Sequence, residues 1–151
     1  MEKFKNEYDY LIHLLKSILN ETQPEEKPEN LSFEKIFNIS KHHGVANMSY
    51  YAIEKLAEKP DAQLSKKWAE YRDRAIVKDL TQTLEFDAVS QKLRNENIRF
   101  LALKGIFLKD MYPQRDMRLM ADIDLLIDSD NVSKANKIMI SLGYEPEITP
   151  D

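Results

Sequence analysis

The sequence contains no cysteine, which removes disulfides and thiolate metal sites from consideration and fits a reducing, cytoplasmic setting. Glycine occurs only three times in 151 residues. An all-β architecture turns roughly every dozen residues and needs more turn-formers than that. The opening MEKFKNEYDY is charged and leads into no long apolar run, unlike a signal peptide or a membrane anchor. No membrane partner is expected. Acidic and basic residues are interspersed, with a formal net charge of −4. The concentrated basic stripe that displaces counterions from phosphates is missing, so a nucleic-acid partner is not indicated.

What remains is a chain rich in helix signals. Hydrophobic residues at 42% suffice for a core, and charged residues at 32% suit helices with one solvated face. Phe4, Tyr8, Leu11, Leu15 and Ile18 recur at three- and four-residue spacing and predict a first helix. Pro24, Pro28 and four glutamates between Glu21 and Asn30 predict an exposed, solvated connector. Ser32 is a good N-cap for a second helix ending at Gly44, and a third runs from Ala46 to about Glu58. Asp61 caps the longest pattern, to about Asn97, with Leu64, Trp68, Tyr71, Ala75, Leu80, Leu84, Ala88 and Leu93 as its inward side. His13, set among the apolar positions of the first helix, reads as a packing histidine. His42 and His43 point apart and make a poor metal pair.

The pattern changes at Ile98. Ile98–Leu103 is an apolar run of strand length, Ile106–Met111 is helical, and Ala121–Asp128 is a second strand candidate. A helix over Asn131–Leu142 follows, with Val132, Ala135, Ile138, Met139 and Leu142 inward. Gly143 stops it, and Tyr144–Ile148 begins a third strand. The fold class expected is α+β. A helical region over residues 1–97 precedes a partial mixed sheet with flanking helices over 98–151.

Two aspartates stand out. On a strand, Asp122 and Asp124 project to one face while Ile123, Leu125 and Ile127 take the other. Aspartate is a poor strand former, and two like charges on one face raise each other's proton affinity. A hard divalent cation accounts for the pair, because Mg²⁺ takes a couple of carboxylates and completes its shell with water and substrate phosphates. The bland reading is a pair of surface carboxylates at a strand end. Lys104-Gly105 sits at a strand-to-helix turn, where glycine admits close backbone approach and lysine adds a point charge for an anion. Its bland reading is an ordinary turn. Arg118 precedes Asp122 by four residues and could neutralise phosphate charge, whereas Arg115 reads as a solvated loop charge. No P-loop and no dinucleotide-binding glycine pattern occurs.

Taken in order, Leu103-Lys104-Gly105, Tyr112-Pro113, Arg118, Asp122-Ile-Asp-Leu-Leu-Ile and Leu142-Gly143-Tyr144 resemble a large bacterial family of uncharacterised nucleotidyltransferases. That family lies within the superfamily of DNA polymerase beta. The resemblance covers Phe100–Tyr144. It implies transfer of a nucleoside monophosphate from an NTP to an unknown acceptor, a small molecule or a protein. Asp122 and Asp124 would be catalytic and would hold Mg²⁺, or Mn²⁺ in its place. Lys104, Gly105 and Arg118 would bind the nucleotide. The superfamily's turn is Gly-Ser or Gly-Gly, where this chain has Lys104-Gly105-Ile106, and the gap to Asp122 is longer. Superfamily members also use a third carboxylate on a later strand. Glu145 and Glu147 are the only late-strand acids here and come soon after the helix. The expectation is therefore a truncated N-terminal portion of such an enzyme, inactive alone. The alternative is a non-catalytic nucleotide-binding or protein-interaction module of the antitoxin or partner type, keeping the fold and using the long helix as its partner surface.

Overall fold

A computed structural model describes residues 4–146. Among them the chain forms six α-helices and two short strands, an α+β fold dominated by helix. The helices are α1 (Glu7–Leu19), α2 (Phe33–His42), α3 (Ala46–Ile53), α4 (Ala62–Asn95), α5 (Gly105–Leu108) and α6 (Val132–Ser141). The strands are β1 (Phe100–Ala102) and β2 (Leu125–Ile127), and they pair antiparallel with Leu101 opposite Leu126. The residues group into two compact units. One holds the chain up to Asp79 together with Leu108–Leu119; the other holds Leu80–Phe107 and the chain from Met120.

The first unit is a helical assembly in which α2 has the Ser32 cap that the sequence signals and α1 has a further cap at Asn6. The Asn6 side chain accepts from the Asp9 N–H at 3.0 Å, and Ser32 Oγ accepts from the Lys35 N–H at 3.4 Å. Each cap satisfies an amide that the helix itself leaves open. Gly44 takes φ +67° after α2, a conformation that strains any residue with a Cβ. Tyr10, Leu14, Ile36, Ile53 and Trp68 make the core. Trp68 is fully buried, and its indole N–H donates to the Ala46 carbonyl at 3.0 Å and to Ser49 Oγ at 3.1 Å. The large ring thus gains burial without stranding its one polar atom. His13 packs against Phe4 and Tyr10, and its Nε2 accepts from the Glu25 N–H at 2.9 Å.

The connector between α1 and α2 is mostly exposed, as expected, but it is also tied to the helices. Pro24 is buried, the Tyr10 hydroxyl donates to the Glu25 carbonyl at 2.7 Å, and the Glu26 carboxylate accepts from the Ala57 and Glu58 N–H groups. Those two amides lie just beyond α3, which ends at Ile53 rather than near Glu58. Glu26 holds the chain there, and these backbone bonds set its carboxyl below the usual range.

The long helix α4 is unbroken over 34 residues, about 50 Å at the α-helical rise. Asp61 Oδ1 caps it by accepting from the Leu64 N–H at 2.9 Å. Trp68, Ala75 and Leu93 are buried as expected, but Leu80 and Leu84 are 59% and 71% exposed. In their place Asp79, Gln82, Val89 and Ser90 are buried. The helical period, continued from Trp68 and Ala75, reaches 79, 82, 86 and 89 and passes 80 and 84 by.

In the second unit Val89, Leu93, Ile98 and Ala135 form one buried cluster, and Phe100, Leu125, Ile127, Ile138, Met139 and Leu142 pack against it. Val132, expected inward on α6, is 46% exposed; it is the first residue of the helix, on the side of Ala135 and Met139 but at its end. The strands are shorter than the apolar runs that contain them. Asn97 takes φ +55° just before β1, and the segment from Ala121 to Asp124 lies outside β2. The sheet is two-stranded and antiparallel among the described residues. Tyr144 to Pro146 lie in no strand, and Glu147 and Ile148 fall outside the described residues.

Candidate functional site

Asp122 and Asp124 precede β2 rather than sit within it, yet the alternation expected of them holds. From Asp122 to Asp128 the odd-numbered residues Ile123, Leu125 and Ile127 are half-buried, and the even-numbered residues are exposed. The cause is a second small cluster beneath the segment. Ala102, Ile106 and Met120 are buried there, with Phe86, Ile123 and Leu125 packed on them. Burying Ile123 and Leu125 turns both aspartate side chains outward. Neither carboxylate has a hydrogen-bond or ion-pair partner among the described residues.

The backbone brings the acidic pair to the Lys104-Gly105 bend. The Leu103 N–H donates to the Asp124 carbonyl at 2.9 Å, which carries the β1–β2 ladder one step past Ala102 and Leu125. Asp124 is thus held beside the residue that immediately precedes Lys104. On the other side of the pair, the buried Gln82 side chain donates from α4 to the Met120 carbonyl at 3.1 Å and the Ala121 carbonyl at 3.3 Å. The four residues 121–124 are therefore pinned at both ends without a strand assignment of their own.

Lys104 is exposed and has no ion-pair partner among the described residues. Gly105 opens α5, and its φ is not in the left-handed region. Its lack of a side chain matters for space: a Cβ there would run into the sulfur of Met120. Arg118 falls in the first unit, half-buried after a turn of 3₁₀ helix at Arg115–Met117. It lines a groove with Leu19, Leu108, Met111 and Tyr112, and its Nε is buried without a hydrogen-bond partner among the described residues. Lys104, Gly105, Asp122 and Asp124 all belong to the second unit.

Arg115 is not the solvated loop charge expected. It pairs with Asp110, and its Nε lies 3.5 Å from Asp79, whose other oxygen takes the buried Lys109 Nζ at 2.8 Å. Nearby in the first unit, the Tyr51 hydroxyl donates to both Asp116 carboxylate oxygens at 3.0 Å, and Asn47 Nδ2 donates to the Asp116 carbonyl at 2.6 Å. Burial pushes the Asp116 carboxyl up, with the Tyr51 bond opposing it, and burial likewise raises the Tyr51 hydroxyl.

Sequence reasoning also passed over Glu85. With Gln82, Phe86, Asp122, Met139 and Tyr144 it lines a half-open cleft of about 230 Å³. The signal was helical phase: Gln82, Glu85, Phe86 and Val89 share one side of α4, which the leucines at 80 and 84 obscure. The Tyr144 hydroxyl is raised by burial and then by the Glu85 charge. No group of three or more His, Cys, Asp or Glu side chains that could hold a metal ion occurs among the described residues. No helix there is long and apolar enough to cross a membrane.

A family model described as uncharacterised nucleotidyltransferase matches residues 29–150. A search of curated proteins and a search of solved structures gave no match.

Proposed function

Because this chain belongs to the uncharacterised nucleotidyltransferase family, we propose that it binds an NTP at Asp122 and Asp124 and serves transfer of the nucleoside monophosphate to an acceptor. The acceptor's hydroxyl or amine attacks the α-phosphorus, the bond to the bridging oxygen breaks, and pyrophosphate leaves with the acceptor's proton going to solvent. The observation that carries the reading is the Leu103 N–H bond to the Asp124 carbonyl. It holds the Asp124 backbone beside the residue that precedes Lys104, and among the described residues neither the two carboxylates nor the Lys104 ammonium has an ion-pair partner; a metal-bound triphosphate calls for both charge types.

The donor set suits Mg²⁺. Two outward carboxylates are hard oxygen ligands in the number that this ion takes from protein when water and phosphates complete its shell. Bound there, Mg²⁺ would supply Lewis-acid charge to the phosphates. The protein's own residues do the remaining work. Asp122 and Asp124, turned outward by the burial of Ile123 and Leu125, offer their oxygens from a backbone that Gln82 and the Leu103 N–H hold at its two ends. Lys104 offers a mobile ammonium to the phosphate oxygens. Gly105, packed close on Met120, keeps the bend and its lysine against the segment that carries the aspartates. The assignment of Arg118 to the phosphates rests on the resemblance alone.

Titration of the protein with each NTP in the presence of Mg²⁺ tests the reading. Wild type is expected to bind, and an Asp122→Ala, Asp124→Ala double variant to bind at least about tenfold more weakly. Equal affinity of the two proteins would refute the role given to these aspartates. Both side chains are exposed, so the double variant is expected to keep its fold.

A further inference from the structure

The cleft beside Asp122 divides the site by charge. Its apolar wall is Phe86, Met139 and their neighbours; its polar groups are Glu85, Asp122, the Tyr144 hydroxyl and Gln82. Gln82 already donates to the Met120 and Ala121 carbonyls. Glu85, Asp122 and Tyr144 have no side-chain hydrogen-bond or ion-pair partner among the described residues. An apolar-walled cleft with a few convergent, unused polar groups is the usual form of a small-molecule site. Among the described residues it is lined by no lysine or arginine, and both of its charged side chains are acidic. A triphosphate would meet repulsion there, whereas Lys104, the lysine assigned to the phosphates, does not line it.

The geometry points to this cleft as the acceptor subsite, taking a group that carries a protonated amine on a small apolar or aromatic body. This rests on the nucleotidyl-transfer reading above and adds the acceptor's chemistry to it. A volume near 230 Å³ admits about one ring or a short chain, less than a drug-sized ligand. Glu85 receives the ammonium, Phe86 and Met139 contact the body, and Asp122, shared between the cleft and the acidic pair, sets the acceptor next to the nucleotide. Glu85 is here a binding residue that selects for charge.

Binding of benzylamine, benzyl alcohol and benzoate to ¹⁵N-labelled protein, followed by NMR with Mg²⁺ and with or without ATP or GTP, tests this. Benzylamine is expected to shift the resonances of Glu85, Phe86 and Tyr144, and to bind about tenfold more tightly than benzyl alcohol. Benzoate is expected not to bind. The Glu85→Gln variant, altered at an exposed position, should erase the preference for benzylamine and keep the nucleotide response. Saturating nucleotide should leave benzylamine bound. Equal binding of the alcohol, an unaffected E85Q variant, or displacement of benzylamine by nucleotide would each overturn the inference. Nucleotide shifts at Lys104 and Gly105 without any benzylamine response would remove the inference and leave the nucleotide reading standing. Benzylamine binding to a protein that binds no nucleotide would sink that reading, and the acceptor assignment with it.

Discussion

Lys109 Nζ lies 2.8 Å from Asp79 Oδ1, with the two side chains only 2% and 10% exposed. A buried ion pair of this kind contributes little net stability compared with an apolar pair, because both charges leave water, but removing one partner strands the other. Lys109→Met is expected to destabilise the protein by about 3–5 kcal/mol in urea unfolding. Adding Asp79→Leu should recover part of that loss. A double variant no more stable than Lys109→Met alone would show that Arg115, 3.5 Å from the second Asp79 oxygen, already satisfies the carboxylate.

Gly105 leaves no room for a side chain against Met120. Gly105→Ala should cost about 1–3 kcal/mol through overpacking, and Met120→Ala should cost its own cavity term. Because the two changes relieve one another, the double variant should be less destabilised than the sum of the singles by more than about 0.5 kcal/mol. Additive losses in a denaturation cycle would mean that the methionine moves aside freely and that glycine is not needed for packing.

Asp116 gives a pH signature. Burial raises its carboxyl in the folded protein, so the native state holds that proton more tightly than the unfolded chain does. Its contribution is fully present below the ordinary carboxylate range and is lost as pH rises through the raised value. Asp116→Asn should therefore remove a downward slope of stability with rising pH that begins in the ordinary carboxylate range and ends above it. Urea midpoints for the two proteins over that range check this. Parallel pH profiles would contradict it.

Much of this architecture could be read from residue pattern, for identifiable reasons. Ser32, Gly44, Asp61 and Gly143 mark helix ends because a cap or a left-handed φ is a local requirement, met by few residue types. The alternation of Asp122, Ile123, Asp124 and Leu125 was legible because period two needs only a buried face beneath the segment. Along the second half of α4 the pattern misled. The buried positions there include Asp79 and Gln82, polar residues whose partners, Lys109 and the Met120 carbonyl, lie about 30 to 40 positions further along the chain. Leu80 and Leu84 are apolar but lie off that side. Hydrophobicity alone cannot find a face whose polar members are satisfied by distant residues, and Glu85 was missed with them. The strand lengths were overestimated for a related reason. An apolar run records burial, whereas a strand also needs a paired neighbour, and β1 and β2 pair over only three residues each.

Paramagnetic Mn²⁺, used in place of Mg²⁺, tests the central claim most directly. At substoichiometric Mn²⁺ the amide resonances of residues 121–125 and of Leu103, Lys104 and Gly105 should broaden first in NMR spectra of the protein. An Asp122→Asn, Asp124→Asn variant should lose that broadening. Sharp signals at these residues while others broaden, or the same broadening in the variant, would contradict a cation site at the acidic pair.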